Sequence, residues 1–85
     1  MAYTVVLTPA AERERRKLPA NVRTRINQAL LELEANPRPS GTSKLSGAKE
    51  RWRIRVGDYR IIFTIDDDAK RVTVIRIAHR RDVYR

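Results

Sequence analysis

Cysteine is absent from this chain, histidine occurs once, and tryptophan, phenylalanine and methionine occur once each. Without thiols there is no disulfide framework, no thiolate zinc site and no thiol nucleophile, and one histidine is too few for a protein-only transition-metal site. Metal and thiol chemistry are therefore not expected. Glycine (3) and proline (4) are also scarce, and with 41% hydrophobic residues the composition argues against a disordered or low-complexity chain. No apolar run approaches the ~20 residues of a membrane span, and the opening MAYTVVLTP lacks the charged start and long apolar middle of a signal peptide. A soluble, cytoplasmic protein with no membrane partner is expected. Eighty-five residues support one core, so residues 1–85 are read as a single domain.

What is abundant is positive charge: 19 basic residues against 10 acidic give +9. Most of the basic residues are arginine, whose planar fork grips phosphate bidentately and stacks on bases, whereas a merely solvated surface is served equally well by lysine. Such an excess asks for a polyanion, and it leans toward the second half of the chain.

The chain shows no internal repeat. YTVVLT, residues 3–8, is β-branched and aromatic and predicts a short strand. Thr8 as cap and Pro9 at the first helical position then open a charged helix, AAERERRKL, ending near Pro19. A second helix carries Val22, Ile26, Ala29, Leu30 and Leu33 at three- and four-residue steps, and Asn36-Pro37 stops it. PRPSGTSKLSG reads as a loop, and RWRIRV, YRIIFTI and VTVIRIAH as three strands. The order is β-α-α-β-β-β.

Gly57-Asp58 between two alternating runs predicts a two-residue hairpin turn, pairing Val56 with Tyr59, Arg55 with Arg60, Ile54 with Ile61 and Arg53 with Ile62. Alternation then puts Trp52, Ile54, Val56, Tyr59, Ile61 and Phe63 on a core face and Arg51, Arg53, Arg55 and Arg60 on a cationic one. Setting Ile75 and Ile77 beside Ile61 and Phe63 turns Arg76, Ala78 and Arg80 to the cationic side, and a five-residue loop around Asp67 and Asp68 is expected to allow this without strain. Arginines opposite one another on a sheet repel, which an anionic ligand would offset. Asp66, Asp67 and Asp68 read as turn residues, because three adjacent acids in a hairpin loop cannot converge on one ion. The basic residues of the first helix read as a solvated face.

The motifs KLSG, WRIRVGDYRIIF and HRRDVYR, with the helices before them, resemble the RelE/ParE superfamily of toxins from toxin-antitoxin pairs, and within it the RelE-like messenger-RNA endoribonucleases. The resemblance spans the whole chain. It implies an α+β fold of two N-terminal helices packed on a small twisted, mainly antiparallel sheet of about four strands. It implies metal-independent, cofactor-free cleavage of mRNA in the ribosomal decoding site, and as partners the ribosome and a cognate antitoxin, the free toxin being monomeric. Carried over by position, the site comprises Arg53, Arg55, Arg60, Arg80 and Tyr84. Lys44, Lys49, Arg51, Arg76 and Arg81 lie near it as RNA contacts. Where better-known relatives have lysine, this chain has arginine at 53 and 55, and a guanidinium is a poor general base. The base is thus left open between Tyr84 and His79, the latter expected to point to the core side. Two other classes fit less of the pattern: a ParE-like toxin that inhibits DNA gyrase without nuclease activity, and a non-toxic RNA-binding module.

Overall fold

A computed structural model describes residues 3–39, 42–44 and 51–79. Its elements are β1 (Thr4–Leu7), α1 (Pro9–Arg16), α2 (Ala20–Ala35), β2 (Ser43–Lys44), β3 (Arg51–Val56), β4 (Tyr59–Asp66) and β5 (Arg71–His79). The sheet runs β1-β5-β4-β3-β2, with β1 parallel to β5 and every other pair antiparallel. Four principal strands and two helices make the expected α+β fold. The two-residue β2, inside the stretch read as a loop, extends the sheet by pairing Ser43 with Arg53 and Lys44 with Trp52.

Local chemistry sets the helices. The Thr8 hydroxyl accepts the Ala11 N–H at 3.1 Å, and Pro9 occupies the first turn, where its missing N–H costs nothing. Glu12 then pairs with Arg15 at 2.7 Å. The α2 helix buries Ile26, Ala29 and Leu33 along one stripe and ends at Asn36, whose side-chain oxygen accepts the Arg38 N–H. Neither described helix is long and apolar enough to cross a membrane.

The core lies between the helices and one sheet face. Phe63, Ile61, Val72 and Val74 from the sheet meet Ile26 and Leu33 from α2, all six fully buried. Removing each such side chain from water is worth about 1.5–3 kcal/mol before the entropy of ordering it is charged against it.

The β4–β5 register departs from expectation at one point. Ile77 faces Ile61 and Arg76 faces Ile62, but Phe63 then faces Val74, so a bulge makes Ile75 the extra residue. Val72, Val74 and Ile77 therefore carry the core face, and Ile75 is half-buried outside it. The bulge sits where β1 stops pairing with β5 and α1 begins. There the Thr8 N–H donates to the Val74 carbonyl at 2.9 Å, and the Thr8 hydroxyl to the Ile75 carbonyl at 3.3 Å. Just beyond, Glu14 of α1 accepts the Ile77 N–H at 2.7 Å and the Arg76 Nε–H at 2.8 Å. A helix carboxylate thus takes over the strand edge that β1 leaves. The β4–β5 connection is also tighter than expected: only residues 67–70 separate the paired Asp66 and Arg71, and Lys70 adopts a left-handed φ of 55°. That conformation carries the strain the longer loop would have avoided.

Candidate nucleic-acid interface

The β3–β4 hairpin has the predicted register throughout, from Arg51 opposite Thr64 to Val56 opposite Tyr59. Gly57 has φ 59° and Asp58 does not have positive φ, the pattern of a type II′ turn, in which the first central position suits glycine. Because side chains alternate, Arg51, Arg53, Arg55 and Arg60 project from the face opposite the helices, with Arg55 and Arg60 directly paired.

This face has an apolar floor. Ile62 and Ala78 are 8% and 6% exposed yet stand outside the core cluster. Ile62 lies between Arg53 and Arg76 in the register, and Ala78 opposite Arg60. Arg53 and Arg60 are themselves half-buried, the Arg60 Nε fully so, which makes Arg60 less of a plain surface residue than its parity alone suggests. Arg51 and Arg55 are exposed, and the Arg55 Nε–H donates to the Gly57 carbonyl at 3.3 Å.

The other expected positions divide. Arg76 belongs to this face by register, but its guanidinium is held by Glu14. Lys44 sits in β2 opposite Trp52, at the sheet edge beside β3. Lys49, Arg80, Arg81 and Tyr84 lie outside the described residues. His79 pairs with Tyr59 on the core side, their rings meeting edge to face at 5.2 Å and 81°, so within the described residues it is placed away from the arginine face.

At the opposite end of the hairpin, Arg38 bonds the Asp67 carboxylate through both Nη atoms at 3.3 and 3.0 Å, and the Tyr3 hydroxyl donates to Asp67 at 2.6 Å. Arg38 also stacks 5.1 Å above the Trp52 ring. The hydrogen bonds from Arg38 and then Tyr3 hold the Asp67 carboxyl below the ordinary carboxylate range, and the bond to Asp67 pushes the Tyr3 phenol up. Asp66 accepts the Ala69 N–H at 3.0 Å. The neighbouring acids serve different partners, as turn residues do. Sequence reasoning missed the role of Arg38 here because its partner lies across the fold.

A small α+β domain carrying an arginine row on the sheet face away from its helices has the makings of a polyanion-binding protein. The family model for the ParE toxin of type II toxin-antitoxin systems matches residues 5–84. The RelG toxin of Mycobacterium tuberculosis is 33% identical, the match covering 100% of this chain and 99% of that protein. Among solved structures, RelE in the archaeal RelE–RelB complex of Pyrococcus horikoshii is similar at TM-score 0.83 and 26% identity, covering 94% of this chain and 97% of that one. RelE in the Escherichia coli RelBE toxin-antitoxin complex is similar at TM-score 0.81 and 29% identity, covering 92% and 96%. The chain belongs to the RelE/ParE superfamily, as a toxin of the type II toxin-antitoxin class with RelE-type relatives.

Proposed function

We propose that the protein is a ribosome-dependent endoribonuclease that cleaves messenger RNA in the decoding site and so stops translation. The observation that carries this reading is the arginine row of β3 facing Arg60 across the hairpin, on the sheet face opposite the two described helices. In the reaction, the ribose 2′-oxygen attacks the adjacent phosphorus, its proton passing to a base. The P–O5′ bond breaks and the leaving oxygen takes a proton, giving a 2′,3′-cyclic phosphate and a 5′-hydroxyl. No metal or cofactor takes part. Arg60 and Arg80 stabilise the charge that develops on the phosphorane, where fixed donors act most strongly. Arg53 and Arg55 orient the backbone, and Lys44, Lys49, Arg51, Arg76 and Arg81 hold flanking phosphates. With His79 against Tyr59 on the core side, Tyr84 is the better candidate for proton transfer.

The partner is a cognate antitoxin, in keeping with the RelE–RelB complexes among the similar structures. The net charge of +9 favours an acidic segment in that antitoxin. Alone the toxin is a monomer, and it acts in the cytoplasm.

A second reading is favoured by the family model, which is described as ParE: a toxin on this fold that inhibits DNA gyrase and cleaves nothing. Metabolic labelling after induction separates the two. The nuclease arrests protein synthesis first, and purified protein cuts ribosome-bound message. Earlier arrest of DNA synthesis, with the message intact, refutes the nuclease reading.

A further inference from the structure

The tip of the hairpin holds a second guanidinium that neither the family resemblance nor the hairpin alternation assigns. Arg25, on α2, reaches over the Gly57–Asp58 turn: a Cβ built at Gly57 would meet its Nη1 at 3.0 Å. The Arg55 Nε–H bonds the carbonyl of the same glycine. Two guanidiniums therefore meet one turn residue. The nearby carboxylates are Asp58, in the turn itself, and Glu32, seven residues along α2. Among the described residues neither forms an ion pair with Arg25 or Arg55. Arg25 borders an open groove of about 490 Å³ between α2 and β3, whose floor is Ala29, Ile54 and Val56.

Four arginines elsewhere are given carboxylates, Arg15 and Arg16 by Glu12, Arg76 by Glu14 and Arg38 by Asp67; among the described residues Arg25 and Arg55 are not. We infer that Arg25 and Arg55 form a phosphate-binding site for RNA at the Gly57 turn, which carries the RNA backbone from the arginine face around the end of the sheet toward α2. RNA is favoured over an acidic protein segment because Arg55 is shared with the arginine face, so the two anion sites are one continuous track. The inference rests on the nucleic-acid reading of that face and extends it to the helix side of the sheet.

The test measures binding of a labelled single-stranded RNA to the purified full-length chain across a series of salt concentrations, for the wild type, Arg25→Gln, Arg25→Lys and Arg60→Ala. Each phosphate contact contributes roughly 0.7 to the slope of log affinity against log salt. Arg25→Gln is expected to lower that slope by about 0.7 with its melting temperature unchanged, and Arg25→Lys to restore the slope, since a point charge still releases the counterion. On ribosome-bound message, Arg25→Gln is expected to raise KM several-fold at nearly constant kcat, whereas Arg60→Ala lowers kcat. An unchanged slope in Arg25→Gln overturns the site. So does a wild-type chain whose RNA binding is insensitive to salt, or an Arg25→Gln chain that loses antitoxin affinity and not RNA affinity. If the slope falls as expected but the wild type cuts no message, the hairpin-tip site stands and the nuclease reading fails.

Discussion

Glu14 is where helix and sheet chemistry meet, and removing it separates two contributions that coincide in the fold. Its carboxylate accepts the backbone N–H of Ile77, a residue 2% exposed, and also the Nε–H of Arg76. In Glu14→Ala the Ile77 N–H loses its acceptor where β1 no longer covers the edge of β5. A buried donor left unmade costs about 1–3 kcal/mol. The ion pair adds less: with the side chains of Arg76 and Glu14 47% and 28% exposed, its worth lies within about 0–1 kcal/mol. Glu14→Ala is therefore expected to cost about 1–4 kcal/mol, at roughly 4–8 °C of Tm per kcal/mol for a domain of this size. Arg76→Ala, which breaks only the ion pair, is expected to cost less than about 1 kcal/mol, and Glu14→Gln, which keeps an acceptor oxygen, falls between. Thermal melting of the three variants and hydrogen exchange at the Ile77 amide test the order. If Glu14→Ala is no worse than Arg76→Ala, or if the Ile77 amide exchanges equally fast in both, the edge-capping role is refuted.

Arg60→Ala is expected to lower cleavage of ribosome-bound message by roughly 10² to 10³, as loss of one transition-state donor does, while its half-buried stem costs no more than about 1 kcal/mol in melting; full activity in a folded variant refutes its assignment. Phe63→Ala removes a fully buried ring and is expected to cost about 3–5 kcal/mol, more than Trp52→Ala, whose ring is only partly buried against the core; urea denaturation checks the ranking. The lowered pKa of Asp67 means its bonds to Arg38 and Tyr3 stabilise the fold above the ordinary carboxylate range, near pH ~4, and lose that effect as pH falls through the depressed folded value. Asp67→Asn should flatten that acid limb in a pH series of melts, and an unchanged limb refutes the linkage. The raised pKa of Tyr3 has the opposite sense: its contribution is full below about pH 10 and is lost as pH rises through the higher folded value, so Tyr3→Phe should melt with a weaker alkaline limb.

The hairpin was legible because two local signals agreed. Gly57-Asp58 sets the turn and strict alternation on either side sets the faces, so the pairing of Arg55 with Arg60 follows from residues six apart or fewer. The bulge was not legible: in VTVIRIA, Val74 and Ile75 are both apolar and β-branched, and either can be set against Phe63 until the Thr8 contacts choose one. The parallel pairing of β1 with β5 was equally hidden, since it joins the two ends of the domain and parallel neighbours leave no turn signature. The same holds for Glu14 and Arg25. Glu14 sits in the first helix, whose basic residues read as a solvated face, and Arg25 lies off the apolar stripe of the second; the partners of each come from a strand distant in sequence.

What decides the electrostatics is where the carboxylates go, which composition alone does not reveal. Glu12 and Glu14 are spent on α1 and on the edge of β5, and Asp67 on the far end of the hairpin, where Arg38 and Trp52 meet. None of these acids reaches β3, and among the described residues Arg51 and Arg55 make no ion pair. Among the described residues, β3 and its turn thus carry two exposed guanidiniums, Arg51 and Arg55, with no carboxylate set against them. Opposed arginines there raise the energy of the unliganded sheet, and the same arrangement makes each phosphate that binds worth more. Swapping a carboxylate into that strand at Arg51, the exposed end of the row, should accordingly relieve repulsion and raise the melting temperature while weakening RNA binding, two opposite changes from one substitution.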